Sequence, residues 1–438
     1  MSSGLCGRPA APGPDSVCIC HDPSPAKDGN QFWAAVKASS VDNRSSFQED
    51  YDCTNFVFPT FDGFSIFEDK RVIFTEASFL KGAHFKLCRF KAFRFESATF
   101  SGPLYFADAH ADALTFSSVT FEDCVVFARS SVGDADFMWA KFKKRVVFRS
   151  VTFSRSAYFF ETTLGDEAIF DDVVFGQRES RPCSDRGVVV ANFRNAHFVQ
   201  PKLVDFARIN ESERVHRGFR ASFLNTDIEF VRFTDIAWHR NKAGELVLED
   251  EYDLEQQNNN PEAKSLYGET TDELVTATYR RLCKNFDNSR QYDLAEDCYV
   301  GSMRVKAKSP RTPLSQKVIY TLYNWLSAYG SSYTRAATML LSIVVVFILI
   351  FPLHPVGVQL ASSPASAPLY WPMNKSPRDW SRTMAASISA NLAIVSLSKN
   401  PVYLPASTLG KNLALVEAPL VALQTALLFL ALGRRFKR

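Results

Sequence analysis

A phenylalanine stands at Phe85, Phe106, Phe127 and Phe148, each 21 residues after the last, and every interval divides into steps of five, five, five and six. The full ladder reads Phe74, Phe79, Phe85, Phe90, Phe95, Phe100, Phe106, Ala111, Phe116, Phe121, Phe127, Val132, Phe137, Phe142, Phe148, Phe153, Phe159, Leu164, Phe170 and Phe175, and seventeen of these twenty are Phe. Five helical steps carry a side chain about 140° past a full turn, and five strand steps put it on the opposite face. Neither an ordinary helix nor an ordinary strand can bury such a ladder. A chain that turns a corner every five residues can, with each central side chain pointing inward and each coil stacked on the one below.

The residue two before each ladder position faces the same interior and is mostly small, as at Ala77, Ala83, Ala98, Ala109, Ala135, Ala140, Ala157 and Ala168; only Phe93, Leu104 and Leu114 are large there. A β-sandwich with Phe-rich strands is the competing reading, but it predicts alternation of period two. The triplets Ala77-Ser78-Phe79, Ala98-Thr99-Phe100 and Ala140-Lys141-Phe142 resemble the pentapeptide-repeat family. That resemblance implies a mainly β fold, a right-handed quadrilateral β-helix whose core includes Phe85, Phe106, Phe127, Phe148 and Phe170. The extra residue in each coil predicts a bulge at one corner. At about 4.8 Å per stacked strand the twenty positions give five coils and a rod of roughly 24 Å.

The β-helix is expected over 53–240. Phe56 to Phe67 keeps the apolar content but loses the period, which predicts a lower cap. The ladder breaks over 176–187, around Pro182, and again through the charged segment 200–217, both read as protruding loops, where functional surface concentrates. It returns at Phe223, Ile228, Phe233 and Trp238.

Residues 1–52 form an N-terminal segment; its first thirty or so, rich in Pro, Gly, Ser and Ala, lack the apolar run of an export signal and are expected to be partly disordered. Nine scattered cysteines then fit a reduced compartment. Cys18, Cys20 and His21 are close enough for a metal set, but no second pair lies at finger-like spacing, and chance clustering is the preferred reading. No metal or cofactor is expected.

Charge divides unevenly: 25 basic against 24 acidic residues over 56–240, 9 against 14 over 241–310, and 12 against 2 from Arg311 onward. The acidic linker 241–310 contains a helical hairpin from Asp272 to Lys308, with apolar positions at Ala277, Leu282 and Phe286, then Tyr292, Ala295, Tyr299 and Met303. The strings Tyr279-Arg280-Arg281-Leu282-Cys283-Lys284-Asn285-Phe286 and Tyr292-Asp293-Leu294-Ala295-Glu296-Asp297-Cys298-Tyr299 resemble the helical linker of bacterial pentapeptide-repeat proteins with a C-terminal membrane domain. Such a hairpin is expected to cap the rod and join it to the C-terminal part of the chain.

The membrane domain is expected over 311–438. Residues 336–353 and 413–432 are long and apolar enough to be two transmembrane helices. Arg311, Lys317 and Arg335 before the first, and Arg434, Arg435, Lys437 and Arg438 after the second, predict cytoplasmic N- and C-termini at the cell inner membrane, against a weaker vote from Lys375, Arg378 and Arg382. Two buried helices of a soluble protein are the alternative, but Tyr320, Tyr323, Trp325, Tyr329 and Tyr333 read as an interfacial belt. Residues 384–398 predict a short helix, re-entrant or interfacial. The order of span, short helix, loop and span resembles the two-span pore module of tetrameric cation channels. Ile394 to Tyr403 contains no glycine, however, which argues against a potassium filter built from backbone carbonyls.

Glu417 and Gln424 in the second span, and Ser387, Asn391 and Ser398 on the short helix, are the polar candidates at membrane depth; an intramembrane carboxylate is costly unless it faces water, a partner or a proton. One reading lines a pore with them in a homo-oligomer; the other puts Glu417 at the outer interface with the serines among headgroups. No catalytic constellation is present: the seven histidines are dispersed and no phosphate-cradling glycine loop occurs. Three function classes remain: an ion channel-like membrane effector or sensor with a non-potassium-selective pore, a non-conducting scaffold whose β-helix or loops bind a protein partner, and a mimic of DNA like the topoisomerase-binding pentapeptide proteins. The third needs an acidic rod, and the near balance of charge over 56–240 argues against it and against nucleic-acid binding.

Overall fold

A computed structural model describes residues 18–38, 50–61, 64–176, 190–210, 218–259, 268–362, 367–370, 377–396, 398 and 401–436. The chain divides into two compact units, one ending at Val305 and the other beginning at Lys306. The first is a parallel β-solenoid of about six turns. Among the described residues its strands form three sheets, of nine, seven and seven strands, and every pairing between coils is parallel.

All twenty ladder positions are buried, none more than 3% exposed. They stack in columns because each coil repeats the one before in register: Phe85 pairs with Phe106, Phe106 with Phe127, Phe127 with Phe148 and Phe148 with Phe170. Ring centroids in this column lie 5.0 Å apart from Phe127 to Phe148 and again from Phe148 to Phe170, with planes 14° and 13° apart. A second column, Phe79, Phe100, Phe121 and Phe142, stacks at 4.4, 5.3 and 4.6 Å. The large inward residues are not all matched by small neighbours: Phe93 packs on Phe90 of its own coil at 4.0 Å. Leu114 shares its coil with Ala111, the smallest ladder residue, whereas the coil with Phe153 on the ladder has Ala157.

Corners are made by left-handed residues at two places in each coil, such as Glu76, Ser97, Ser118 and Trp139 (φ 56°, 59°, 59° and 57°). This backbone is unfavourable for a side chain, and each position is held by a bond to the coil above: Ser97 N donates to Ser117 O and Ser118 N to Met138 O, at 2.9 and 2.8 Å. The step of six falls between the strands Ser78–Phe79 and Ala83–Lys86 and recurs at that place in later coils, so it produces no bulge there. The register shift lies instead between Val132 and Asp134, opposite Phe153 to Ser156, where the longer strand Thr152–Tyr158 takes up one more residue. Gly82 and Gly102 mark the first of the six-residue turns. A Cβ on Gly82 would stand 2.0 Å from Pro103 O, so the coils approach too closely for any other residue.

Two boundaries differ from the reading of the sequence. Val57–Phe58 is already a rung, paired with Ser78–Phe79, and the lower end is covered by a helix, α1 (Gly29–Lys37), whose Phe32 and Trp33 meet Phe58 at 5.2 and 5.9 Å. Of the segment 1–52 expected to be partly disordered, 18–38 is thus folded, and 1–17 and 39–49 lie outside the described residues. The interruption expected over 200–217 is also shorter. Val204–Ala207 is a rung between Ala168–Asp171 and Arg232–Thr234, and Phe206 stacks on Phe170 at 4.6 Å. Residues 177–187 and 211–217 of the two expected loops lie outside the described residues.

Three helices follow the last coil: α2 (Glu249–Asn259), α3 (Asp272–Asn288) and α4 (Tyr292–Lys308). They close the end chemically as well as sterically. Asn285 Nδ2 donates to Ile228 O, Glu229 O and Val231 O (2.7, 3.0 and 2.7 Å), and Gln291 Nε2 to Phe233 O (2.7 Å), satisfying carbonyls that have no further coil to bond. Phe286 covers Phe233 and Trp238, both at 5.9 Å.

The second unit is helical: α5 (Leu314–Ser327), α6 (Tyr333–Ile350), α7 (Pro377–Val395) and α8 (Thr408–Phe436), with a small antiparallel pair of strands, Val358–Leu360 and Tyr403–Pro405. Tyr333–Ile350 and Thr408–Arg434 are long and apolar enough to cross a membrane, and only 11% and 17% of their most apolar stretches are buried. Core helices of a soluble protein are mostly buried. Both spans begin earlier than the sequence boundaries 336–353 and 413–432. The helix expected over 384–398 begins at Pro377 and ends at Val395, because polar residues before Met384 continue the helix where apolar counting stopped. Tyr329, one of the expected belt residues, is only 3% exposed.

Candidate functional site

Ala386, Ser387, Ala390 and Asn391 form a narrow, buried face on α7. Steps of four put Ser387 over Asn391 and Ala386 over Ala390, and the small alanines let α7 approach its neighbours closely. Phe347 of α6 and Phe351, just past its end, pack in the same cluster as these alanines. Ser387 Oγ donates to Ile348 O at 2.6 Å, and Asn391 Nδ2 lies 3.5 Å from Val344 O. The same amide donates to Glu417 Oε1 of α8. Ser387, Asn391 and Glu417 are each 0% exposed. They form one polar triad where α6, α7 and α8 meet.

The triad is incompletely bonded: Asn391 Oδ1 and Glu417 Oε2 are buried with no hydrogen-bond partner. Buried acceptors left without a donor cost free energy. An ammonium, a metal cation or a proton would supply what two oxygens of this kind lack. Pro419, two residues after Glu417, lies inside α8 and removes one backbone donor of that helix.

Of the five polar residues singled out from the sequence, the structure brings together Ser387, Asn391 and Glu417. Glu417 is the tenth residue of α8, not the fifth of a span, because the helix starts at Thr408. Gln424 lies elsewhere, seven residues or roughly 10 Å further along α8. Its Nε2 donates to Leu326 O and Ala336 O (3.1 and 2.9 Å), tying together the end of α5 and the first turn of α6. Ser398 is exposed, beyond the end of α7.

A second buried polar cluster sits in the helical end of the solenoid. Arg304 of α4 donates to both Glu251 oxygens at 2.7 Å and to Glu245 at 3.0 Å, while Tyr279 OH donates to Glu251 (2.9 Å) and accepts from Leu248 N (3.1 Å). The neighbouring carboxylates of α2 are held above their usual range by burial. Glu249, paired with Arg220, is pushed up to about 7, and Asp250, which accepts from Ser222 and Phe223 N, to about 6. Burial also pushes the Tyr279 hydroxyl up. A Cβ on Gly301 would stand 2.6 Å from the Tyr279 ring, so α4 packs directly against it. This network joins α2, α3 and α4, and its one sequence signal is the acidic run Glu249-Asp250-Glu251.

Cys18 Sγ lies 2.9 Å from His21 Nδ1 in the lower cap, where Cys18, Cys20 and Cys53 are buried among apolar side chains. Among the described residues no group of three or more His, Cys, Asp or Glu is placed to hold a metal ion. His84 and His197 are exposed on the solenoid wall and His110 is partly so.

Compared with known proteins, the chain matches no family model, no curated protein and no solved structure.

Proposed function

We infer that this protein is a membrane-anchored effector or sensor: a right-handed, four-sided pentapeptide-repeat solenoid at the cytoplasmic face of a bacterial inner membrane, joined to a channel-like helical module. In this reading α6 and α8 cross the bilayer, both chain ends are cytoplasmic, the chains associate as a homo-oligomer, and the triad Ser387, Asn391 and Glu417 takes a proton or small cation during transport or signalling. The observation that carries it is the pair of unpartnered oxygens on Asn391 and Glu417, buried side by side where α6, α7 and α8 meet. Nothing structural requires a carboxylate there, since three apolar side chains of similar volume would fill the same space. Selectivity for potassium by a carbonyl filter is no part of the proposal, for want of glycine between Ile394 and Tyr403.

The second reading is a non-conducting scaffold whose solenoid binds a protein partner. It is favoured by the outward faces of the spans, which carry Leu341, Leu415 and Phe429 at 65%, 74% and 68% exposure and offer no carboxylate to a pore between subunits. Recording from planar bilayers containing the purified full chain separates the two. A current that Glu417→Gln abolishes supports the first reading; silence in every ionic condition, with the protein demonstrably inserted, supports the second.

A further inference from the structure

Leu314, Val318, Leu322 and Trp325 follow one another along α5 at steps of four, four and three, with Ile319 beside them, and their exposures are 81%, 57%, 51%, 60% and 62%. Those steps put all five within an arc of about 140°. A stripe of this size facing water is unfavourable, so it calls for an occupant.

The chain around α5 says which. Ala328, Tyr329 and Gly330, at φ 48°, 57° and 74°, make a tight left-handed turn, and α6 begins at Tyr333. That turn is pinned from several sides. Gln424 bonds Leu326 O and Ala336 O, Arg434 Nη1 donates to Tyr329 O at 3.0 Å, and Arg335 Nη1 to Asn324 O at 3.2 Å. A Cβ on Gly330 would stand 2.6 Å from Leu430 Cδ2 and from the Tyr323 hydroxyl. The position of α5 relative to the start of α6 and the end of α8 is therefore set by packing. The cations of this end of the unit, Arg335 and Arg434 at the turn and Lys317 beside the stripe, match the negative surface of an anionic leaflet. A helix with an unpartnered apolar side, an aromatic anchor and basic flanks, fixed at the mouth of a span, has the form of one lying in the membrane interface.

We propose that α5 lies in the plane of the bilayer that α6 enters, with Leu314, Val318, Ile319, Leu322 and Trp325 in the boundary between headgroups and acyl chains of that leaflet. The proposal rests on α6 and α8 being membrane spans. It makes α5 a second, lateral anchor, whose tilt or release would act directly on the ends of both spans.

The test uses the full chain reconstituted in phosphatidylcholine and phosphatidylglycerol vesicles, some with brominated acyl chains. Quenching of the parent minus that of Trp325→Phe isolates Trp325. The companion variant Gln316→Trp in the Trp325→Phe background reports the opposite side of α5. Quenching several-fold stronger at 325 than at 316, lost in Ile319→Glu with Leu322→Glu, is the expected result. Equal quenching at both positions, in protein that still floats with the vesicles after alkaline extraction, overturns the proposal for α5 alone. Loss of flotation overturns the reading of the spans beneath it. A detergent-solubilised mass that halves on Leu322→Glu would show a second copy of the chain to be the occupant, and would overturn it as well.

Discussion

The solenoid and the helices beyond Tyr333 are built inside out with respect to one another. In the solenoid, rings such as Phe148 are buried and charges such as Arg129, Asp108, Lys143 and Glu122 stand outside, bonding from coil to coil. In the second unit the carboxylate and amides of Glu417, Asn391 and Gln424 are buried, while leucines and valines face out. Thr338 and Ser342, two polar residues that face out from α6, turn their hydroxyls back to Arg335 O and Thr338 O at 2.9 and 2.8 Å. These hydroxyls, facing out among apolar side chains, find their partners in the helix's own carbonyls.

Substitutions that remove a buried ring break this contrast most. Phe148→Ala empties a position stacked on both sides and is expected to cost about 3–5 kcal/mol in denaturant unfolding of the solenoid. Leu341→Ala, on the outer face of α6, should leave the unfolding midpoint of the detergent-solubilised protein nearly unchanged. Equal effects would show that the outside of α6 is packed against protein.

Next in size is the triad. Asn391→Leu alone leaves Glu417 buried without its donor and should destabilise the helical unit by roughly 1–3 kcal/mol. Adding Glu417→Leu should restore or raise the melting temperature while abolishing any current, since an apolar replacement of a buried polar pair is often stabilising. A double variant less stable than the single would mean that the polar interior serves stability rather than activity.

A smaller effect belongs to the helical end of the solenoid. Glu249 and Asp250 hold protons in the fold, at about 7 and about 6, that they would lose lower in the unfolded chain. The folded state binds more protons across that window, so stability is greatest below about pH 4.5 on account of these groups and declines as pH rises toward 7. Glu249→Gln should flatten the decline by on the order of 1–2 kcal/mol between pH 5 and 8. An unchanged slope would assign the dependence elsewhere. Least of all, breaking the exposed pair of Arg129 and Asp108 by Arg129→Ala should leave the midpoint within error, because solvent screens it.

The solenoid was legible because its signal is repeated: one ambiguous Phe says nothing, but seventeen in a ladder of twenty positions define an interior. Phe206 escaped because the chain takes eight residues from Phe198 where six are usual, and a counted period cannot absorb an insertion. The register shift at Val132 and Asp134 likewise depends on how two coils meet. In the second unit Glu417 stood out from its neighbours by charge alone. Its bond to Asn391, 26 residues earlier, did not, because that contact needs the relative rotation of α7 and α8. Gln424 looked like a pore residue for a related reason. Its partners are backbone carbonyls, which every residue has. The stripe of α5 was hidden by its tyrosines, which spread aromatic character around the whole helix.

Each coil of the solenoid presents its successor with the donors and acceptors that it received from its predecessor. Nothing in the stack therefore counts how many coils there are. Excising one 21-residue repeat between the caps, or duplicating one, leaves every remaining interface of a kind already present. Reach is in this sense a free parameter of the architecture, adjustable in increments of about one strand spacing, roughly 4.8 Å, while the chemistry at the two ends stays the same.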